Sequence, residues 1–202
     1  MAALATLVDA LSFGYALDPA TWPGFLNRAS ARVRSYTGQT ISRVVNDVQD
    51  IPVRNLIAQL PQLPADKPTV VTFDGVVFLE NTAWYWDPIQ QRLCGVNPYL
   101  NSANFSGWWW RDNDKYVTVT YSHGYATVPE GIKEVVCAIA NRMAQTPASA
   151  EGGTRQEGAG GVNITYASET LSSGANLTAS EKAAIDKVVP RRRQASIPMR
   201  TY

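Results

Sequence analysis

Val117-Thr-Val-Thr-Tyr-Ser-His-Gly-Tyr-Ala-Thr-Val-Pro-Glu-Gly-Ile132 is the stretch on which the fold turns. Lys115 to Tyr121 reads as a strand, rich in β-branched and aromatic residues. Ser122-His123-Gly124 falls where the chain must turn. Helix returns at Val128. Thr127 and Glu130 have capping-box spacing, in which a hydroxyl bonds a free amide of the first turn and a carboxylate reaches back. Ile132, Val135, Val136, Ile139, Ala140 and Met143 then form one apolar stripe at the helical period, with Pro147 just beyond.

Upstream, the chain alternates between two periods. Leu4, Leu7, Val8 and Leu11 fall on one helical face, and Gly14 is placed to end that helix. Asp18 or Thr21 caps a second helix carrying Trp22, Phe25, Leu26, Ala29, Val33 and Tyr36, with Gly38 as its stop. Ile41 to Val48 is β-branched and reads as a strand. Pro52 to Pro68 contains four prolines and no clear period, and is expected to be loop or edge. Asp74-Gly75 between Thr69–Phe73 and Val76–Leu79 is a hairpin signal, because both central residues of a type I′ turn need positive φ. Trp84–Trp86 and Trp108–Arg111 are further strand candidates, and Asn113-Asp114 could turn a second hairpin.

Downstream, Ala148 to Gly161 is small, polar and glycine-rich, which reads as a mobile loop. Val162 to Tyr166 reads as a short strand or arm. A last helix has its capping box at Thr178 and Glu181, an apolar side at Ala183, Ala184, Ile185, Val188 and Val189, and a break at Pro190. From Thr178 onward there are six Lys or Arg against two Asp or Glu.

Bulk composition narrows the function classes. The 202 residues are 45% apolar, enough for a packed core without disulfides or metals. The net charge of +1 lacks the bias of a protein that wraps a duplex. Met1-Ala-Ala-Leu-Ala has no positive n-region, and no run approaches the ~20 apolar residues of a membrane span. A soluble protein made inside the cell is expected. Cys94 and Cys137 read as reduced, partly buried thiols, fitting a reducing cytoplasm.

Motifs that carry chemistry are scarce. His123 is the one histidine, and it falls where a turn needs a structural residue. The cysteines are not a CxxC pair, so zinc is not indicated. Gly152 to Gly161 lacks the Gly-Lys-Ser/Thr ending of a phosphate loop. Asp112 and Asp114 flank a turn, where carboxylates bond local amides. No catalytic residue, metal ligand or cofactor is assigned, and the chain is not expected to be an enzyme. Six tryptophans are more noteworthy, five of them in the β-rich part: Trp84, Trp86, Trp108, Trp109 and Trp110. They fit a two-sided core, a subunit interface or a sugar platform. Arg191-Arg192-Arg193 fits a helix C-terminus, an acidic partner groove or DNA phosphate.

The order of these segments resembles a known family. The Val117–Ile132 stretch, Val33-Arg-Ser-Tyr-Thr-Gly-Gln39, Leu177-Thr-Ala-Ser-Glu-Lys-Ala-Ala-Ile185 and Pro190-Arg-Arg-Arg193 are similar to the head-to-tail adaptors, or head–tail connectors, of long-tailed actinobacteriophages. The resemblance covers both ends and the helical segments, whereas the tryptophan-rich centre looks like a variable insertion. It implies an α+β fold, a small helical bundle carrying a β-rich insertion, with an extended C-terminal tail. Helices over 1–39 and 123–190 would form the core, with a Gly-rich loop at 148–161. Residues 40–122 would be the β-rich unit and 191–202 the tail. The implied role is a structural virion protein of the neck: a homo-oligomeric, twelvefold ring between the portal protein and the tail-side stopper. DNA would pass through its channel without specific binding, and no membrane would be involved. Such a ring would assemble in the host cytoplasm and end at the head–tail junction. Arg191, Arg192, Arg193, Ile197, Met199, Arg200 and Tyr202 would contact the portal or a neighbouring subunit, and the five tryptophans are interface candidates. The rival reading is a β-rich module binding carbohydrate or a host surface, which requires exposed tryptophan rings.

Overall fold

The computed structural model describes residues 2–15, 18–95, 116–145, 156–159, 162–165 and 176–189. The chain divides into two compact units, one of residues 39–128 and one of residues 1–38 with 129–202.

The unit of residues 39–128 is a curled antiparallel sheet of seven strands, like half a barrel. These are β1 (Val44–Arg54), β2 (Ile57–Gln59), β3 (Val70–Phe73), β4 (Val76–Val77), β5 (Trp84–Asp87), β6 (Arg92–Gly95) and β7 (Tyr116–His123). Their spatial order is β4-β3-β7-β1-β2-β6-β5. This overturns the expectation of a small helical bundle carrying a β-rich insertion: the sheet is the dominant element. The reason lies in β1. Its residues up to Pro52 pair with β7, and Val53 and Arg54 pair with β2, so this one long strand joins the two halves of the sheet. Pro52 had marked the start of a loop, since proline cannot donate to a ladder. It sits opposite Tyr116, the last β1–β7 pair among the described residues, just before β1 turns to β2.

Turn chemistry sets the registers. Asp74 and Gly75 both have positive φ, as the hairpin signal requires, and Phe73 pairs with Val76. Asn55 and Leu56, also at positive φ, join β1 to β2 without that signal in the sequence. The Leu56 carbonyl accepts the Gly95 amide at 2.7 Å and its side chain packs on the core, which helps to offset the unfavourable backbone. Asp87 accepts the amides of Ile89 and Gln90 and pairs with Arg92 at 3.0 Å, shaping the β5–β6 turn. Along β7, Val117, Val119, Tyr121 and His123 are buried in strict alternation. Val117, Val119 and Tyr121 build the sheet's core with Ile51, Val53, Leu60, Val71, Leu93 and Trp84.

In the other unit α3 (Glu130–Gln145) packs against α1 (Leu7–Ser12), α2 (Trp22–Thr37) and α4 (Ala179–Val188). Every member of the stripe Ile132, Val135, Val136, Ile139, Ala140 and Met143 is buried. The helix begins at Glu130, with the Pro129 carbonyl accepting the amides of Ile132 and Lys133, so Thr127 lies before the cap position. On α2, Trp22, Leu26, Ala29 and Val33 are buried, and Gly38 closes the helix in the left-handed conformation. The first stripe is corrected. Thr6 and Asp9 form a capping box that starts α1 at Leu7. Leu4 is buried ahead of the helix, while Val8 and Leu11 are 75% and 64% exposed. Gln156–Ala159 pairs with Val162–Thr165 as a hairpin, β8 and β9, so strand replaces part of the expected glycine loop.

Two ion pairs bind helices to α3. Lys133 meets Asp9 at 2.7 Å. Burial raises the Asp9 pKa, but hydrogen bonds from Lys133 and Thr6 and the Lys133 charge outweigh it and leave the carboxyl below its ordinary value. Folding therefore gains from this group at pH values above the unfolded carboxyl's ~4. The gain is lost as pH falls through the lower, folded value. The expected result is that Asp9→Asn removes this contribution at pH 6 but changes stability little near pH 2, measured by denaturant unfolding of both proteins across that range.

Arg142 makes two bonds to the Glu181 carboxylate, at 2.8 and 3.1 Å, and donates to the Asn176 carbonyl at 2.7 Å. Glu181 also completes the α4 capping box with Thr178. Arg142→Met leaves a nearly buried carboxylate without its cation. A loss of about 2 kcal/mol is expected, since charge-assisted hydrogen bonds contribute roughly 1.5–3 kcal/mol. Amide exchange over 179–188 should accelerate while β7 stays protected, as read by hydrogen-exchange mass spectrometry.

Candidate interaction surface

One face of the sheet points away from its core. Register aligns Val48, Thr120 and Val70 in one row across β1, β7 and β3. The next row is Asp50, Thr118, Thr72 and Val77, and the third is Pro52 with Tyr116. Val48, Val77 and Tyr116 are each 60% exposed and Val70 is 39% exposed. Thr118 and Thr72 add to the apolar character because their hydroxyls are engaged. Thr118 donates to Asp50 at 2.6 Å, and Thr72 donates to the Thr118 carbonyl at 3.4 Å. Thr69 donates to the Thr120 carbonyl at 3.2 Å. What remains outward is mostly methyl groups around one carboxylate, with Asp74 at the rim. Sequence reading missed this face because it ended the first strand at Val48. The signal was there in the alternation of Asp50, Pro52 and Arg54 with Ile51 and Val53.

Beside this face, Lys67–Val70, Val77–Glu80 and Trp84 line an open groove of about 520 Å³. Lys67 and Glu80 pair across it at 2.5 Å. Trp84 is only 3% exposed and donates its indole N–H to the Phe78 carbonyl at 3.0 Å. It is a core residue, with no ring face open to a sugar. Trp86 is half-buried against the same core. Trp108, Trp109 and Trp110 lie outside the described residues, as do Asn113-Asp114 and all the tail candidates: Arg191, Arg192, Arg193, Ile197, Met199, Arg200 and Tyr202.

His123 closes β7. A bulge in β1 inserts one extra residue between the pairs Val44–His123 and Asp47–Tyr121, with Asn46 at positive φ. Such a bulge re-aims side chains. Here it brings Asp47 Oδ2 to 3.0 Å from Nε2 of the buried His123. Gln49 donates to the same oxygen at 2.5 Å and accepts the Tyr121 hydroxyl at 3.0 Å. Ser122 Oγ accepts the Asn46 amide at 3.1 Å, so its lone pair is directed at the bulge. The network fastens strand to strand, and among the described residues Nδ1 of His123 has no hydrogen-bond partner. Cys94 and Cys137 are buried free thiols. Burial, followed by the Asp9 charge, pushes Cys137 up to about 11, so it is a protonated packing group at neutral pH.

Among the described residues no three His, Cys, Asp or Glu side chains gather as a metal site. The chain matches no family model and no characterised protein.

Proposed function

We infer that the chain is a structural subunit of a bacteriophage neck, a head-to-tail adaptor ringed between the portal and the tail-side stopper. The observation that carries this reading is the segment Val117–Ile132. It bears the family resemblance, and in the fold it supplies both an interior strand of the sheet and the first turn of the helix that the others pack against. A surface made largely of methyl groups suits a partner protein better than a small polar substrate. No helix among the described residues is long and apolar enough to cross a membrane. In this role the near-neutral chain lets DNA pass, because tight phosphate binding repeated around a ring would hold it.

The first test is electron microscopy of the purified chain mixed with portal-bearing, tailless heads. Density at one vertex of each head is the expected result. Binding over the whole capsid, or quenching of tryptophan fluorescence by sugars with no binding to heads, would replace this reading with that of a surface-binding module.

A further inference from the structure

We propose that the outer face of β1, β7, β3 and β4 is the dock for residues 190–202 of a neighbouring copy of this chain. The inference rests on the ring reading above and names the contact that would join one subunit to the next. Three observations carry it.

The first is size. The face spans about 14 Å across four strands and about 13 Å along them, from spacings of ~4.8 Å and ~3.3 Å. That is roughly 200 Å², well short of the ~800 Å² per partner of a stable globular interface. It suits an extended segment instead.

The second is charge. The tail, Pro-Arg-Arg-Arg-Gln-Ala-Ser-Ile-Pro-Met-Arg-Thr-Tyr, has four arginines and no acid. As the whole chain is +1, the first 189 residues sum to −3. Residues 39–128 contain eight acids and six bases, so the sheet unit is itself −2. The tail thus complements the body of another copy, and Asp50 and Asp74 lie on and beside the face.

The third is spacing. Ile197 and Met199 are two residues apart in sequence, a spacing that would put both on one side of a docked, extended segment, about 6.6 Å from each other. The rows of the face repeat at the same interval. Pro190 and Pro198 lack the N–H that a strand added to the two-residue edge β4 would donate, whereas docking on a face needs no ladder. Charge is screened beyond ~8 Å at physiological salt, so the apolar anchors should dominate.

The experiment uses the full chain with a photo-crosslinking amino acid replacing Met199, mixed as ¹⁴N and ¹⁵N copies at millimolar concentration. Mixed-isotope crosslinks should join the tail to peptides within 44–54, 70–77 and 116–123. Val48→Asp, an exposed position, should reduce them at least tenfold without shifting thermal unfolding. Crosslinks within one copy, crosslinks to other segments, or a chain that stays monomeric and uncrosslinked would overturn the proposal. A ring on the portal whose tails crosslink only to the portal would overturn this dock and leave the adaptor reading standing. Tail-to-face crosslinks in a chain that never joins heads would do the reverse.

Discussion

Gly124→Ala should cost the sheet unit about 3 kcal/mol or more. Two effects add. Gly124 has φ of +80°, where a Cβ costs roughly 1–2 kcal/mol. A Cβ there would also press into the Ser42 carbonyl oxygen, with the Ser42 carbon at 2.8 Å and the Ile41 oxygen at 2.9 Å. These are backbone atoms, held by the Tyr125 amide on Ile41 O at 2.7 Å and the Gly124 amide on Pro64 O at 2.8 Å. Ile41 is itself at positive φ and fully buried, so the segment has little room to yield. Gly75→Ala is the matched control. Its φ is +79°, but a Cβ would meet nothing within 4 Å, so only the backbone cost of about 1–2 kcal/mol applies. Urea unfolding of both variants reads the difference directly. Equal losses would show that the close approach at Gly124 carries no energetic weight.

Deleting residues 190–202 should abolish tailed, infectious particles while leaving the described fold intact. The last helix is complete before the cut. Thr178 and Glu181 cap its start, Val189 is buried, and the Val189 amide bonds the Ile185 carbonyl at 2.8 Å. The tail holds Ile197, Met199 and Tyr202, and burying each such side chain at an interface is worth roughly 1.5–3 kcal/mol. In the proposed ring that contribution would be lost at every subunit. Complementation of a knockout phage with the shortened gene measures the effect: DNA-filled heads without tails are expected. Normal yields would show the tail to be dispensable. Circular dichroism of the shortened chain separates loss of assembly from loss of folding.

The helices were largely legible in the sequence because their signals are local. The α3 stripe and the Thr178–Glu181 box each lie within a few turns of chain. Asp74-Gly75 was legible for the same reason. The sheet was less so, because its order is set by pairings far apart in sequence. Pro52 reads as a strand breaker because proline cannot donate to a ladder, and this masks the alternation of Asp50, Pro52 and Arg54 with Ile51 and Val53. Asn55 suits positive φ, but Leu56 does not advertise a turn, and Gly95 helps to hold it from another strand. Leu4, Leu7, Val8 and Leu11 had the right period, but the Thr6 cap leaves Leu4 outside the helix, and α1 buries Ala10 while Val8 and Leu11 stay exposed. The outer face was hidden for the same reason as the sheet: Val48, Thr120 and Val70 become a surface only through register.

The central claim is a position and a symmetry, so a reconstruction of the virion neck by electron cryomicroscopy tests it most directly. The expected result is this chain as a ring on the head–tail axis, twelvefold, seated between the portal and the next tail-side protein around the DNA channel. A single copy, or a location away from that axis, would contradict it.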